Sequence, residues 1–184
     1  MKVTETVLSG VFLIEPDIFG DERGYFFESY SKQKLADFGI TADFVQDNQS
    51  FSKEKGTLRG LHYQRDPMAQ AKLLRVTKGA IFDVAVDVRK GSPTYGKWVS
   101  AVLTSENHHQ FYIPRGFLHG FITIEDNTEV QYKADNFYSP QDEGSVLWSD
   151  PALAIDWPIA PTVLSGKDAA APVLSEATKI NFVY

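Results

Sequence analysis

The sequence predicts an all-β domain, a sandwich or jelly roll with a few short helices. Short runs rich in β-branched and aromatic residues follow one another, separated by Gly, Pro, Asp and Asn rather than by helices. Helical periodicity is scarce, and residues 31–38 form the best candidate. Aromatic residues make up 13% of the chain, with 13 Phe and 8 Tyr, which suits strands and flat-ring pockets.

The first strand-like runs are residues 7–14 and 24–30. The short helix over 31–38 follows, with Ser31 as N-cap, Leu35 and Phe38 on one face, and Gly39 as its stop. Further strands are expected at 44–52, 57–64, 73–78, 80–88, 97–103, 110–113, 117–124 and 128–134. Within 80–88, Phe82, Val84, Val86 and Val88 share one face, and Ile81, Asp83, Ala85 and Asp87 share the other. The tail from Ser139 carries Pro140, Pro151, Pro158, Pro161 and Pro172. It reads as strand pieces and coil wrapping the barrel, so residues 1–184 form one domain.

At 184 residues such a domain buries about 70% of its unfolded surface. A net charge of -6 argues against a nucleic-acid surface, so any anionic ligand must be met by locally placed cations. The chain has no cysteine, which excludes disulfides and thiol catalysis. Met1-Lys2-Val3-Thr4-Glu5 lacks a secretory apolar run, and no segment approaches the about 20 apolar residues that cross a bilayer. A soluble cytoplasmic protein, away from membranes, is the expectation.

Two strings carry the chemistry: Thr57-Leu58-Arg59-Gly60-Leu61-His62-Tyr63-Gln64 and Pro114-Arg115-Gly116-Phe117-Leu118-His119-Gly120. The pattern Pro114-x-Gly116-x-x-His119 matches the second motif of cupin barrels, where that histidine often binds a metal. The first cupin motif supplies His-x-His and then Glu, whereas this chain reads His62-Tyr63-Gln64 with no acid before Asp66. Two histidines without a carboxylate partner make a poor metal site, so no bound metal is expected. The adjacent His108-His109 pair lacks ligand spacing and reads as part of a polar turn.

Metal-free acid–base chemistry is the alternative. His62 shares a strand face with Leu58 and Gly60, which can aim its imidazole into the barrel. A lone histidine there is otherwise a core residue satisfied by hydrogen bonds. Lys72 alters the balance, because period two places it on the side of Leu74 and Val76. A lysine facing an apolar interior is costly unless an anion or a developing negative charge uses it. The competing reading is an end-of-strand lysine that reaches solvent along its stem. Tyr132 lies on one face with Val130 and Ala134, either as packing with a bonded hydroxyl or as a proton donor.

Longer motifs go further. Arg59-Gly60-Leu61-His62-Tyr63-Gln64, Asp83-Val84-Ala85-Val86-Asp87-Val88-Arg89 and Ile113-Pro114-Arg115-Gly116-Phe117-Leu118-His119-Gly120-Phe121 resemble the dTDP-4-dehydrorhamnose 3,5-epimerase family. So do Phe19-Gly20-Asp21-Glu22-Arg23-Gly24, Val45-Gln46-Asp47-Asn48 and Trp148-Ser149-Asp150-Pro151. The similarity runs from about Val11 to Asp168, with independent motifs in the same order.

The resemblance implies a cupin-type jelly-roll barrel without metal or cofactor, assembled as a homodimer with shared active sites. It implies a substrate, dTDP-4-dehydro-6-deoxy-D-glucose, epimerised to dTDP-4-dehydro-L-rhamnose on the way to dTDP-L-rhamnose. It gives His62 the role of general base, Tyr132 that of general acid, and Asp168 that of the carboxylate orienting His62. Lys72 is the candidate partner of an enolate oxygen. Arg23 and Arg59 are implied pyrophosphate and nucleotide contacts, and Glu28, Gln46, Asn48, His119, Glu143 and Lys167 fall at substrate-binding positions. Phe26 and Tyr138 can flank the base or sugar, and Arg23 and Glu28 are implied to reach across the dimer. By itself, before the motif is considered, Arg23 reads as a surface turn arginine. A relative inverting only C3 or only C5 keeps the same base and fold. A metal cupin and a catalytically silent sugar-nucleotide binder are the readings from other classes.

Overall fold

In a computed structural model that describes residues 1–184, the alternating runs pair into two facing sheets. The chain opens with β1 (Lys2–Glu5), β2 (Phe12–Glu15) and a hairpin of β3 (Phe19–Asp21) and β4 (Gly24–Phe26). Helix α1 (Lys32–Ala36) comes next, then β5 (Gln46–Ser52), β6 (Leu58–Gln64), β7 (Lys72–Lys78) and β8 (Ala80–Asp87). The remaining strands are β9 (Trp98–Thr104), β10 (Gln110–Ile113), β11 (Phe117–Thr123), β12 (Thr128–Ala134) and β13 (Glu143–Ser145). Helix α2 (Gly166–Ala169) and a 3-10 turn at Leu174–Glu176 lie in the tail.

One sheet runs β1-β2-β10-β7-β12-β5 and the other β13-β6-β11-β8-β9, all antiparallel between neighbours. Inward residues of both sheets meet in a core that includes Leu74, Val76, Ile81, Ala85, Phe111, Ile113, Phe117 and Phe121. Each fully buried Val, Leu, Ile or Phe among them contributes about 1.5–3 kcal/mol of transfer free energy. This is the sandwich of two inner faces that the jelly-roll expectation requires.

The two faces of β8 divide as the alternation predicts. Ile81 and Ala85 join the inter-sheet core, while Val84 and Val86 pack outward against Leu153 and Phe182 of the tail. The tail therefore buries what would be an exposed apolar sheet face, and it also delivers α2 to one mouth of the barrel. That is why so proline-rich a segment is nonetheless ordered against the domain.

Several boundaries depart from the sequence reading. β1 was not legible, because Lys2–Glu5 is mostly exposed and lacks apolar alternation; ladder pairing to β2 holds it, with the Lys2–Glu15 ion pair and packing of Val3. The run at 7–14 yields a strand only from Phe12, after a turn in which Gly10 adopts φ +88°. The run at 24–30 ends at Phe26. α1 is capped by the Ser31 hydroxyl and buries Leu35, but Phe38 lies past its end and stays exposed. β3, β13 and α2 are further elements that propensity did not reveal.

Candidate active site

Glycine decides how the two histidine strings meet. Gly60 of β6 adopts φ +124°, and a Cβ there would stand 2.6 Å from Gly120 Cα and 2.8 Å from the His119 carbonyl oxygen. Only glycine permits β6 and β11 to approach so closely. The pairing places His62 opposite His119 and Arg59 opposite Phe121, so β6 carries an irregularity between them. Strict alternation would set Arg59 on the face opposite His62. The bulge instead turns both toward the barrel interior, a device common beside functional sites.

These residues line a cavity of about 720 Å³. On one wall stand His62 and Arg59 from β6, His119 from β11 and Glu143 from β13; on the other stand Lys72 from β7, Tyr132 from β12 and Ser50 from β5. Tyr138, Lys167 and Asp168 close the mouth. Lys72 Nζ lies 5.9 Å from the centroid of the Tyr132 ring.

His62 Nε2 is 2.6 Å from Asp168 Oδ1, and Asp168 is almost fully buried. The Ser165 hydroxyl caps α2 by accepting from the Asp168 N–H, which seats the carboxylate against β6. Burial works to raise the Asp168 carboxyl, but the hydrogen bond and charge of His62, with the Ser165 and Gly60 bonds, bring it below the usual carboxylate range. An ionised carboxylate accepting from Nε2–H leaves the other ring nitrogen as a base.

The remaining groups are tuned by burial. It lowers the Lys72 amine to about 8, against the opposing pull of the Asp83 and Glu143 charges. Burial also raises the Tyr132 hydroxyl, keeping the phenol protonated as an acid should be. His119 is pushed down by burial despite Asp83, so its ring is neutral at pH 7. Glu143 is raised by burial but ends lower than usual because Lys167 Nζ sits 2.5 Å from Oε2 and the Tyr138 hydroxyl donates at 3.1 Å. Arg59 is anchored by Nε to the Ser52 hydroxyl at 3.2 Å and by Nη2 to the Phe51 carbonyl at 3.0 Å.

Gln46 and Asn48 lie at alternate positions of β5, in line with Ser50. Gln46 Nε2 donates to Asn48 Oδ1 at 3.0 Å, and its own oxygen accepts the Tyr138 N–H at 3.1 Å, so the pair fixes the Tyr138 segment. Neither Gln46 nor Asn48 lines the cavity itself, and Arg23, Phe26 and Glu28 lie elsewhere, also outside its lining. Arg23 is 87% exposed at the tip of the β3–β4 hairpin and pairs with Asp21, Phe26 is 69% exposed, and Glu28 pairs with Lys34. His108 occupies a turn with φ +53° and packs on Tyr25 and Phe27, at 4.6 and 4.9 Å between ring centroids, outside the site. No group of three or more His, Cys, Asp or Glu side chains is arranged to hold a metal ion.

Two site residues escaped the sequence reading. Asp83 is completely buried, with Oδ1 2.7 Å from His119 Nε2; its place between Ile81 and Ala85 on an apolar strand face was the available signal. Ser50 had no signal, since a serine on a half-polar strand is unremarkable by composition. An imidazole held by a carboxylate, a half-buried cation and a protonated phenol around one hollow can remove a proton next to a carbonyl, hold the resulting enolate and return a proton.

Comparison with known proteins agrees with this chemistry. The profile of dTDP-4-dehydrorhamnose 3,5-epimerase matches residues 5–176. The dTDP-4-dehydrorhamnose 3,5-epimerase of Salmonella typhimurium is 53% identical over 179 residues, covering 96% of this chain and 97% of the relative. The crystal structure of the Bacillus anthracis dTDP-4-dehydrorhamnose 3,5-epimerase with TDP and PPi bound superposes with a TM-score of 0.92 at 50% identity, covering 94% of this chain and 99% of that one. The dTDP-6-deoxy-D-glucose-3,5-epimerase of Legionella pneumophila, in complex with dTDP-4-keto-L-rhamnose, gives a TM-score of 0.94 at 46% identity, covering 100% and 98%. With a jelly-roll cavity of this composition and full-length similarity of this degree, the chain belongs to the dTDP-4-dehydrorhamnose 3,5-epimerase family.

Proposed function

We propose that this chain inverts C3 and C5 of dTDP-4-dehydro-6-deoxy-D-glucose to give dTDP-4-dehydro-L-rhamnose, with His62 as base and Tyr132 as acid. One observation carries the assignment of roles: His62 with its carboxylate stands on one sheet, and Tyr132 stands on the sheet facing it. A sugar ring held between them meets the imidazole on one side and the phenol on the other.

Both reacting C–H bonds are alpha to the C4 ketone. His62 takes the proton, the C–H electron pair becomes the enolate double bond, and the carbonyl electrons move onto O4. The Lys72 ammonium meets that oxygen. Such preformed donors are worth about 3–4 kcal/mol in oxyanion sites generally. Tyr132 then protonates the same carbon from behind, which inverts it. Proton exchange with solvent resets both groups, and a second round acts at the other carbon. No electron leaves the substrate, so the residues present complete the chemistry.

Arg59, His119, Glu143 and Lys167 line the cavity as substrate contacts, and Tyr138, held by Gln46 and Asn48, offers a ring at its mouth. The exposed hairpin bearing Arg23 and Phe26 supports a homodimer in which each chain lends Arg23, Phe26 and Glu28 to its partner's site. The same reading places the reaction in the cytoplasm. No helix is long and apolar enough to cross a membrane.

The test is incubation with dTDP-4-dehydro-6-deoxyglucose in deuterium oxide, followed by NMR. Deuterium at both C3 and C5 is the expected result. Label at one carbon alone identifies a mono-epimerase, and no label removes the enolate mechanism.

A further inference from the structure

The site holds three buried or half-buried carboxylates, and two are already engaged. Asp168 is bound to His62, and Glu143 to Lys167 and Tyr138. Asp83 differs. Its Oδ1 accepts from His119 Nε2 at 2.7 Å and from the Val84 N–H at 3.1 Å, while Oδ2 is buried with no hydrogen-bond partner from the protein. Native structures seldom leave a carboxylate oxygen in that state without a use for it. β8 presents Asp83 inward with Ile81 and Ala85, and β7 presents Lys72 inward from the opposite sheet with Leu74. Of the charges acting on Lys72, Asp83 is the strongest that favours the ammonium.

We propose that Asp83 is a positioning residue of this site: Oδ1 fixes the His119 ring with Nε2 protonated, and the free oxygen supplies the counter-charge that keeps Lys72 an ammonium inside the barrel. This rests on Lys72 serving as partner of the enolate oxygen. The other groups facing Lys72 do not substitute. Glu143 of β13 also favours the ammonium, more weakly, and is paired with Lys167. Arg59 of β6 is itself a cation and Tyr132 of β12 a neutral phenol; His62 and His119 are imidazoles committed to carboxylates. A cation enclosed by the barrel walls gives up its proton more readily when its strongest counter-charge is removed. His119, its Nε2–H spoken for, is left to accept from a substrate hydroxyl through Nδ1.

Asp83→Asn removes the charge but keeps an oxygen for His119. It is expected to move the alkaline limb of kcat downward by about one pH unit. Turnover then falls about threefold at pH 7.5 and about tenfold at pH 9, with dTDP affinity unchanged. Asp83→Glu, which restores the charge, should bring the limb back. NMR titration of the Lys72 ε-carbon, without substrate, should show the same displacement. An unmoved Lys72 titration in a folded Asp83→Asn protein overturns the proposal. Should that variant not fold, nitrogen NMR of wild-type His119 decides: Nε2–H supports the proposal and Nδ1–H overturns it. Because the titration needs no sugar, a protein that leaves the sugar unlabelled yet shifts Lys72 on losing Asp83 sinks the epimerase reading and not this coupling.

Discussion

Asp168→Asn tests the carboxylate proposed to orient His62. The substitution is nearly isosteric, so the α2 cap and the packing around residue 168 survive it. What disappears is a negative charge 2.6 Å from His62 Nε2. In the proposed mechanism His62 takes a proton and becomes an imidazolium, which the carboxylate stabilises in the transition state. Two unit charges about 4 Å apart at an effective dielectric of about 20 interact by about 4 kcal/mol. The His62 side chain is 31% exposed, so solvent screens part of this, leaving about 3 kcal/mol. That corresponds to a fall in kcat of about 100-fold or more. The amide also presents N–H toward the ring, which favours the wrong tautomer and adds to the loss. The assay is the rate of deuterium entry at C3 and C5, followed by NMR, beside dTDP affinity by calorimetry. Binding should be little changed. Exchange within about threefold of the parent would refute the dyad as the source of basicity.

Other outcomes follow from the same geometry. Tyr132→Phe keeps the ring packed near Lys72 and removes only the proton, so C–H exchange by His62 should persist while net inversion falls; equal loss of both would displace Tyr132 as a separate acid. Gly60→Ala sets a Cβ 2.6 Å from Gly120 Cα at φ +124° and should cost about 2–4 kcal/mol, lowering Tm by about 5–10 °C in a calorimetric scan; an unchanged Tm would mean the strands tolerate separation. Asp87, fully buried, is raised by burial but brought down to about 2 by bonds from Arg89, Ser92 and Thr94. Its folded value lies below its unfolded one, so its contribution of about 2 kcal/mol is present above pH about 4 and is lost as pH falls toward 2. Asp87→Asn should flatten that part of the stability-versus-pH curve, and an unaltered acid slope would assign the loss to other groups.

How far a site is legible depends on whether its parts are local. His62, Lys72 and Tyr132 were readable as inward-facing because each sits in a run whose neighbours, Leu74 and Val130 among them, declare the buried side. Arg59 broke the rule. Period two assigned it to the wrong face, and a bulge enabled by Gly60 corrected it. Asp83 was visible as an acid on an apolar face but offered no hint of its partner. Asp168 entered through family resemblance alone, since nothing local ties it to His62.

The amino-acid order by itself determined the class of the fold. It set strand alternation, the short capped helix, the glycine at position 60 and the kinds of functional group available, because these depend on contacts within a few residues. Tertiary structure alone decided which groups share a cavity. The two His–Asp pairs, the placement of His62 and Tyr132 on opposing sheets, and the absence of Arg23 and Phe26 from the hollow all arise from contacts between segments distant in sequence. Register in such sheets is set by the summed burial of both inner faces, a quantity that no single segment carries.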